Sequence, residues 1–190
     1  MAKTFLQSLL VLIVLTVLTG IVYPLVVTAV AQVCCRQQAD GSLIRQQGHI
    51  VGSALLGQAF DQPRYFWPRP SATTPQPYNG ASSSGSNLGP TNPAQLQAVR
   101  DRVAALQAAD PANKLPIPVD LVTASASGLD PDISPAAAQY QVSRVARVRG
   151  LDPGRLRELV RAHTQGRQWG VFGEPRVNVL ELNLALDQLH

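Results

Sequence analysis

The chain is poor in the side chains that most often carry chemistry. It has two cysteines, Cys34 and Cys35, and three histidines, His49, His163 and His190. The cysteines are neighbours, so they cannot staple distant parts of a fold, and neither they nor the histidines show the spacing of a metal cluster. A disulfide framework and a zinc module therefore have no support; the pair is open to a packing or lipidated role or to an incidental one. No glycine-rich loop ends in Lys followed by Ser or Thr, which removes P-loop chemistry. Ser82 to Ser86 bring serines into a glycine-bearing loop, but Ser84-Gly85-Ser86 lacks the flanks of a nucleophile elbow.

Charge is absent from one long stretch. Between Thr4 and Cys35 there is no Asp, Glu, Lys or Arg, and the run from Phe5 to Val33 is dominated by Leu, Val and Ile. As a helix that run reaches roughly 40 Å, against a hydrocarbon core of roughly 30 Å, so it predicts a transmembrane anchor over residues 1–35. The rival is a cleaved signal peptide, since Lys3 gives a positive start and Ala29-Val30-Ala31 resembles a cleavage site. The apolar stretch is about twice the usual signal-peptide core of roughly 7 to 15 residues, which favours the anchor. Thr16, Gly20, Pro24 and Thr28 recur every fourth residue, with Thr19 and Tyr23 beside them. Small side chains on one face let another helix approach closely, although Thr and Gly are also simply tolerated in anchors and Pro24 kinks one. Lys3 on one side and Arg36 and Arg45 on the other leave the orientation undecided.

Residues 36–190 read as one water-soluble domain of about 155 residues, long enough for its own core. Leaving out Lys3, fifteen basic residues face twelve acidic ones, a balance too mild to demand a polyanionic partner. Asn92-Pro93, Ser134-Pro135 and Asp152-Pro153 each set a capping side chain before a proline, marking three helix starts. Those helices are predicted to run to Asp110-Pro111, to Gly150 and towards Gly166, and Val179, Leu182, Leu186 and Leu189 predict a fourth. Ile50–Leu56, Val119–Ala124 and Gln168–Phe172 are strand candidates. The sum is an α+β domain with about four helices and a small sheet.

The segment from Pro63 to Pro93 differs in kind. It is rich in Pro, Ser, Asn and Gly, yet Tyr65, Phe66, Trp67, Arg69, Tyr78 and Leu88 punctuate it. That mixture suits an ordered, extended loop laid on the domain or a partner; a disordered excursion is the alternative. Asp130 and Asp132 are candidates to pair as carboxylates or to bind a cation, although a turn before the Ser134 cap explains them more simply. Arg144, Arg147, Arg149, Arg155, Arg157, Arg161 and Arg167 cluster in the second and third helices, where they attract an anion or form a solvated face with Glu158.

Longer motifs then point to a family. Thr19-Gly20-Ile21-Val22-Tyr23-Pro24, Arg69-Pro70-Ser71-Ala72, Pro77-Tyr78-Asn79, Gly85-Ser86-Asn87-Leu88-Gly89-Pro90-Thr91-Asn92-Pro93, Val119-Asp120-Leu121-Val122-Thr123-Ala124-Ser125, Ser127-Gly128-Leu129-Asp130-Pro131 and Val177-Asn178-Val179-Leu180-Glu181-Leu182-Asn183 resemble the C subunits of bacterial Kdp potassium-transporting ATPases. The resemblance runs from the anchor almost to the carboxyl terminus. It implies a non-catalytic accessory subunit of an ATP-driven, high-affinity potassium uptake complex, partnered by a channel-like potassium-binding subunit and a P-type ATPase subunit. Such subunits stabilise the assembly and act as catalytic chaperones that raise the pump's affinity for ATP. It also implies a single pass through the bacterial inner membrane, with the amino terminus cytoplasmic and the domain extracytoplasmic.

On this resemblance Thr16, Thr19, Gly20, Tyr23 and Pro24 are expected to pack against partner helices, and Arg69, Tyr78, Asn79, Ser86 and Asn87 to form a partner-contact loop. No metal and no firmly bound cofactor are expected; ATP enters through the pump subunit, with Arg144, Arg147 and Arg155 as the candidates for an anion or nucleotide contact. The absence of Asp-Lys-Thr-Gly and Gly-Tyr-Gly agrees with a chain that carries neither the phosphorylation site nor the filter. Three departures stand out: Cys34-Cys35 where relatives tend to have Phe-Pro, Ala126 for Gly and Asp132 for His. Leu151-Asp152-Pro153-Gly154-Arg155 also lacks the serine and glutamine of a stretch proposed to help bind ATP. Two readings from other classes stay open, an anchored hydrolase using the Ser82–Ser86 loop and a free-standing binding module.

Overall fold

The computed structural model describes residues 2–189, in two units that divide between Val51 and Gly52. In the first unit the apolar run forms one helix of 33 residues, Ala2–Cys34. It comprises α1 (Ala2–Val17), a π turn (Leu18–Val22) and α2 (Tyr23–Cys34). The wide turn has a covalent cause. Pro24 has no N–H to give the carbonyl of Gly20, and its ring would crowd that carbonyl in a regular α-helix. The backbone opens by one residue instead, and the Tyr23 N–H reaches the carbonyl of Leu18. The Thr19 hydroxyl bonds back to the carbonyl of Leu15 at 2.7 Å, so its polar group is satisfied within the helix.

Cys35 leaves the helical region at φ −141°, and a single turn, α3 (Arg36–Ala39), follows. Strands β1 (Leu43–Gln46) and β2 (His49–Ser53) form a two-stranded sheet. Gln47 and Gly48 join them with φ of 50° and 83°, the doubly left-handed turn that matches strand twist.

The second unit is built on α4 (Pro93–Ala109), α5 (Pro135–Arg149), α6 (Pro153–Ala162) and α7 (Val179–Leu186). Each starts on a side-chain cap. Asn92 accepts the N–H of Ala94, Ser134 that of Ala137, Asp152 that of Arg155 and Asn178 that of Glu181, at 2.8–3.1 Å. These bonds satisfy amides that the first helical turn leaves orphaned. Helix α5 ends on Gly150 in the left-handed region, as its sequence position predicts.

A three-stranded antiparallel sheet, β3 (Asp132–Ile133), β4 (Thr164–Gln165) and β5 (Arg176–Asn178), has the order β3-β5-β4. Val177 lies opposite both Ile133 and Thr164 at its centre. The core gathers Phe66, Ile133, Val142, Val145, Leu156, Val160, Val177, Leu182 and Leu186, all at most 2 % exposed. Burying each large aliphatic side chain contributes about 1.5–3 kcal/mol.

Three expected elements come out differently. Val119–Leu121 is a 3₁₀ turn rather than a strand, because the Asp120 carboxylate takes both the N–H and the hydroxyl of Ser134. Gln168 and Phe172 make an isolated antiparallel bridge, not a strand. The third helix stops at Ala162, short of Gly166, since Thr164 and Gln165 pair with β5.

Candidate functional site

The Pro63–Pro93 segment is laid along the folded domain, and side chains of α5 and α7 hold its first part by its backbone. Asn183 accepts the N–H of Phe66 at 2.9 Å and donates to its carbonyl at 3.0 Å. Gln141 does the same for Trp67, at 2.8 and 3.1 Å. Arg144 donates to the carbonyls of Pro63 and Tyr65 and to Gln141 Oε1, at 2.5, 3.0 and 2.6 Å. Its guanidinium also lies 4.1 Å from the centre of the Trp67 ring. Arg149 donates to the carbonyl of Arg64 and pairs with Asp187, with its guanidinium 4.9 Å from the Tyr65 ring centre. An irregular strand has no ladder for its polar groups, and these four side chains supply one.

Further along, the segment folds on itself and on the 123–131 loop. The Ser71 hydroxyl donates to the Gly128 carbonyl at 2.7 Å and takes the N–H of Tyr78 at 3.0 Å. The Tyr78 hydroxyl donates to the carbonyl of Arg69. Burial, helped by the Asp130 carboxylate and opposed by Arg69, pushes the Tyr78 phenol well above its ordinary value, so it stays a donor. Arg69 pairs with Asp130 at 2.9 Å. Asn79 gives its N–H to Thr73 Oγ1 and its amide to the Thr74 carbonyl, next to the cis Thr74-Pro75 bond. Ser86 and Asn87 lie exposed, Asn87 with φ of 52°.

The candidate residues are thus dispersed. Thr16 lies near the end of α1, Thr19 and Gly20 in the π turn, and Tyr23 and Pro24 at the start of α2, all on the exposed surface of the apolar helix. Arg69, Tyr78 and Asn79 form one bonded cluster, with Ser86 and Asn87 farther along the chain. Arg144 is 2 % exposed, and burial lowers its guanidinium to about 10, with Asp110 opposing, so it stays charged at neutral pH. Arg147 pairs with Asp110 at 2.5 Å and donates to the Ala109 carbonyl. Arg155 sits in the first turn of α6, its own N–H taken by the Asp152 cap. Gln141 and Asn183 were not singled out from sequence. A signal existed: each is a polar residue on an apolar helical stripe, Gln141 between Ala137 and Val145, Asn183 between Val179 and Leu186.

Two clefts border this region. One of about 300 Å³ is lined by Phe60, Trp67, Arg69, Arg102, Leu106 and Leu121 and is mostly apolar. The other, about 620 Å³, holds Asp120, Asp130, Asp132 and Glu174 with Arg69 and Arg176. There Arg176 pairs with Asp132 at 3.1 Å, and Arg69 with Asp130. Burial raises the Asp132 carboxyl, with Arg176 opposing and Asp130 and Glu181 adding to the rise. Among the described residues no group of three or more His, Cys, Asp or Glu is gathered as a metal ion requires.

One apolar helix long enough to cross a bilayer, followed by an α+β unit whose polar side chains tie down a long irregular segment, fits a single-pass membrane protein. The sequence places it further. Residues 5–188 match the family described as KdpC, the K+-transporting ATPase c chain, and the chain belongs to that family. It is 65 % identical over 175 residues to the potassium-transporting ATPase KdpC subunit of Dechloromonas aromatica (strain RCB), covering 92 % of each chain. It is 62 % identical over 189 residues to that of Herpetosiphon aurantiacus, covering 100 % of this chain and 98 % of the relative. The KdpC subunit of Sorangium cellulosum (strain So ce56) is 63 % identical over 180 residues, 95 % of each. The chain is therefore an accessory subunit of a multi-subunit potassium-transporting ATPase.

Proposed function

We propose that this subunit stabilises a high-affinity potassium uptake complex made with a channel-like potassium-binding subunit and a P-type ATPase subunit, and that it raises the affinity of the ATPase subunit for ATP. Its amino terminus lies in the cytoplasm and its domain outside the bacterial inner membrane. The observation that carries this reading is a family match that takes in the apolar helix and the domain together, residues 5–188.

The effect on ATP runs through conformation. A domain outside the cytoplasm meets almost no nucleotide, and the guanidiniums of Arg144 and Arg147 are spent on Pro63, Tyr65, Gln141, Asp110 and Ala109. A subunit that binds one pump conformation more tightly than another shifts that equilibrium, and the same coupling free energy appears as tighter nucleotide binding. A tenfold gain in ATP affinity needs about 1.4 kcal/mol of such preference.

The test is purification of the tagged chain from mildly solubilised membranes, followed by ATPase assays with and without it. Two larger membrane proteins should copurify, and removal of the chain should raise the ATP concentration at half-maximal rate. Retention of neither protein would reject the assignment. Photo-crosslinking of an ATP analogue to residues 144–167 in the intact complex, lost in Arg155→Ala, would reject the indirect route.

A further inference from the structure

The turn from Arg167 to Glu174, between β4 and β5, carries the most exposed aromatic side chain of the domain. Trp169 is 91 % exposed, with Val171 at 69 % and Phe172 at 60 % beside it. A side chain of that size left in water is unusual, and here it is held there by the backbone. Gln168 and Phe172 exchange N–H to carbonyl bonds at 2.8 and 3.0 Å, closing the three-residue loop Trp169-Gly170-Val171. Arg167 grips both carboxylate oxygens of Glu174 at 2.7 and 2.8 Å across the base. Trp169 has φ of 51°, a left-handed conformation that a bulky residue adopts only when its surroundings impose it. The indole meets the Phe172 ring edge-on, with centroids 6.0 Å apart.

We infer that this turn is a preformed knob that seats Trp169 in a neutral apolar pocket on another polypeptide subunit of the ATPase, in addition to whatever contacts the 63–93 segment makes. Charge selects the occupant. The two ionic groups of the turn neutralise each other, so it offers no spare cation to a phosphate headgroup, and a surface complementary to it is uncharged. Rigidity points the same way: a loop braced in one conformation has little side-chain and backbone freedom left to lose, the property of an aromatic anchor in a protein interface. The indole N–H then calls for an acceptor in the pocket wall. The inference rests on membership of a multi-subunit complex, as the proposed function does.

The experiment replaces Trp169 with the photo-crosslinking residue p-benzoylphenylalanine in the full chain, within native membranes containing the other subunits. Covalent attachment to another subunit is expected; attachment to lipid alone, or to nothing, overturns the inference. In parallel, Trp169→Ala should raise the rate at which solubilised partners dissociate at least tenfold while Trp169→Phe stays within about threefold of wild type. Unchanged dissociation in Trp169→Ala overturns the knob, and so does a loss of partners accompanied by a lower melting temperature of the chain itself, which would mark a folding role. The two readings fail separately: a wild-type chain that retains no subunit rejects both, whereas normal wild-type assembly with a silent Trp169 rejects only the knob.

Discussion

Asn183 holds Phe66 by both of its backbone groups, although 117 residues separate the two in sequence. The amide sits on α7 at 1 % exposure, so neither bond has water as a substitute. Asn183→Leu keeps the branched shape, in a somewhat larger side chain, and removes both partners, leaving the Phe66 N–H and carbonyl buried and unpaired. Each such group costs about 1–3 kcal/mol, and we expect a loss of about 2–4 kcal/mol in urea unfolding of the detergent-solubilised chain. A change under about 0.5 kcal/mol, the size of an ordinary surface substitution, would show that the pairing is incidental.

Arg144 should be harder still to replace. Its donors serve two backbone carbonyls and Gln141, and its plane stacks on Trp67. A lysine brings one point charge where the guanidinium brings a planar fork. Arg144→Lys is expected to lose about 2 kcal/mol or more, with bonds to a charged donor at about 1.5–3 kcal/mol each, and Arg144→Met to lose more than Arg144→Lys. Thermal melts of the two variants beside wild type check the order.

Acid should withdraw the support that the Asp110 carboxylate gives the fold. Burial raises its carboxyl, but the Ser143 hydroxyl and the Arg147 guanidinium, each at 2.5 Å, outweigh that and hold it below the ordinary carboxylate value. A carboxylate depressed in the folded state stabilises at every pH above its unfolded value, near 3.8, and gives that up as pH falls through the folded value. Asp110→Asn should therefore be less stable than wild type at pH 7, and the difference should shrink below about pH 4. A difference that stays constant from pH 7 to pH 3 would exclude the ion pair as its source.

The segment that ends at α4 depends on close backbone approach. A Cβ built on Gly85 would lie 2.7 Å from the carbonyl oxygen of Ala126, which belongs to the facing loop and cannot swing away like a side chain. Gly85→Ala should push the two loops apart at a cost of about 1–3 kcal/mol. Limited proteolysis should then cut between residues 79 and 90 several times faster than in wild type.

In the apolar helix, space decides. Nothing lies within 4 Å of a Cβ built on Gly20, so a larger side chain there is tolerated by the chain itself and felt only by a neighbour. Gly20→Leu should weaken copurification of the other subunits clearly more than Leu12→Val does. Equal retention by the two variants would remove Gly20 from the packing surface.

The helices of the domain were legible because their signals are local. A capping Asn, Ser or Asp followed by Pro fixes a helix start within four residues, and the structure has α4, α5 and α6 where those pairs stand. The short strands β3, β4 and β5 were not legible. At two or three residues they have no period to read, and they exist because Val177 finds Ile133 and Thr164 across the sheet. The π turn was half legible: Pro24 announces a disturbance, but a kink, a break and a widened turn all answer the same missing N–H. The tie of α5 and α7 to the 63–68 stretch lay in plain view as Gln141 and Asn183 on apolar stripes, yet what a buried amide bonds to is a tertiary fact that spacing does not carry.

The grip of Asn183 on Phe66 also sets a timetable. A ribosome adds roughly 5–20 residues per second, so the 117 residues between them take roughly 6 to 23 s to make. Gln141 and Arg144 follow their partners by 74 and 79 residues and Asn183 follows Phe66 by 117, so the aromatic stretch around Phe66 and Trp67 gains its holders one after another and is fully held only at the end. A stretch made early in the domain is thus among the last to be fastened, and until then it stays open to whatever protein or chaperone meets it first.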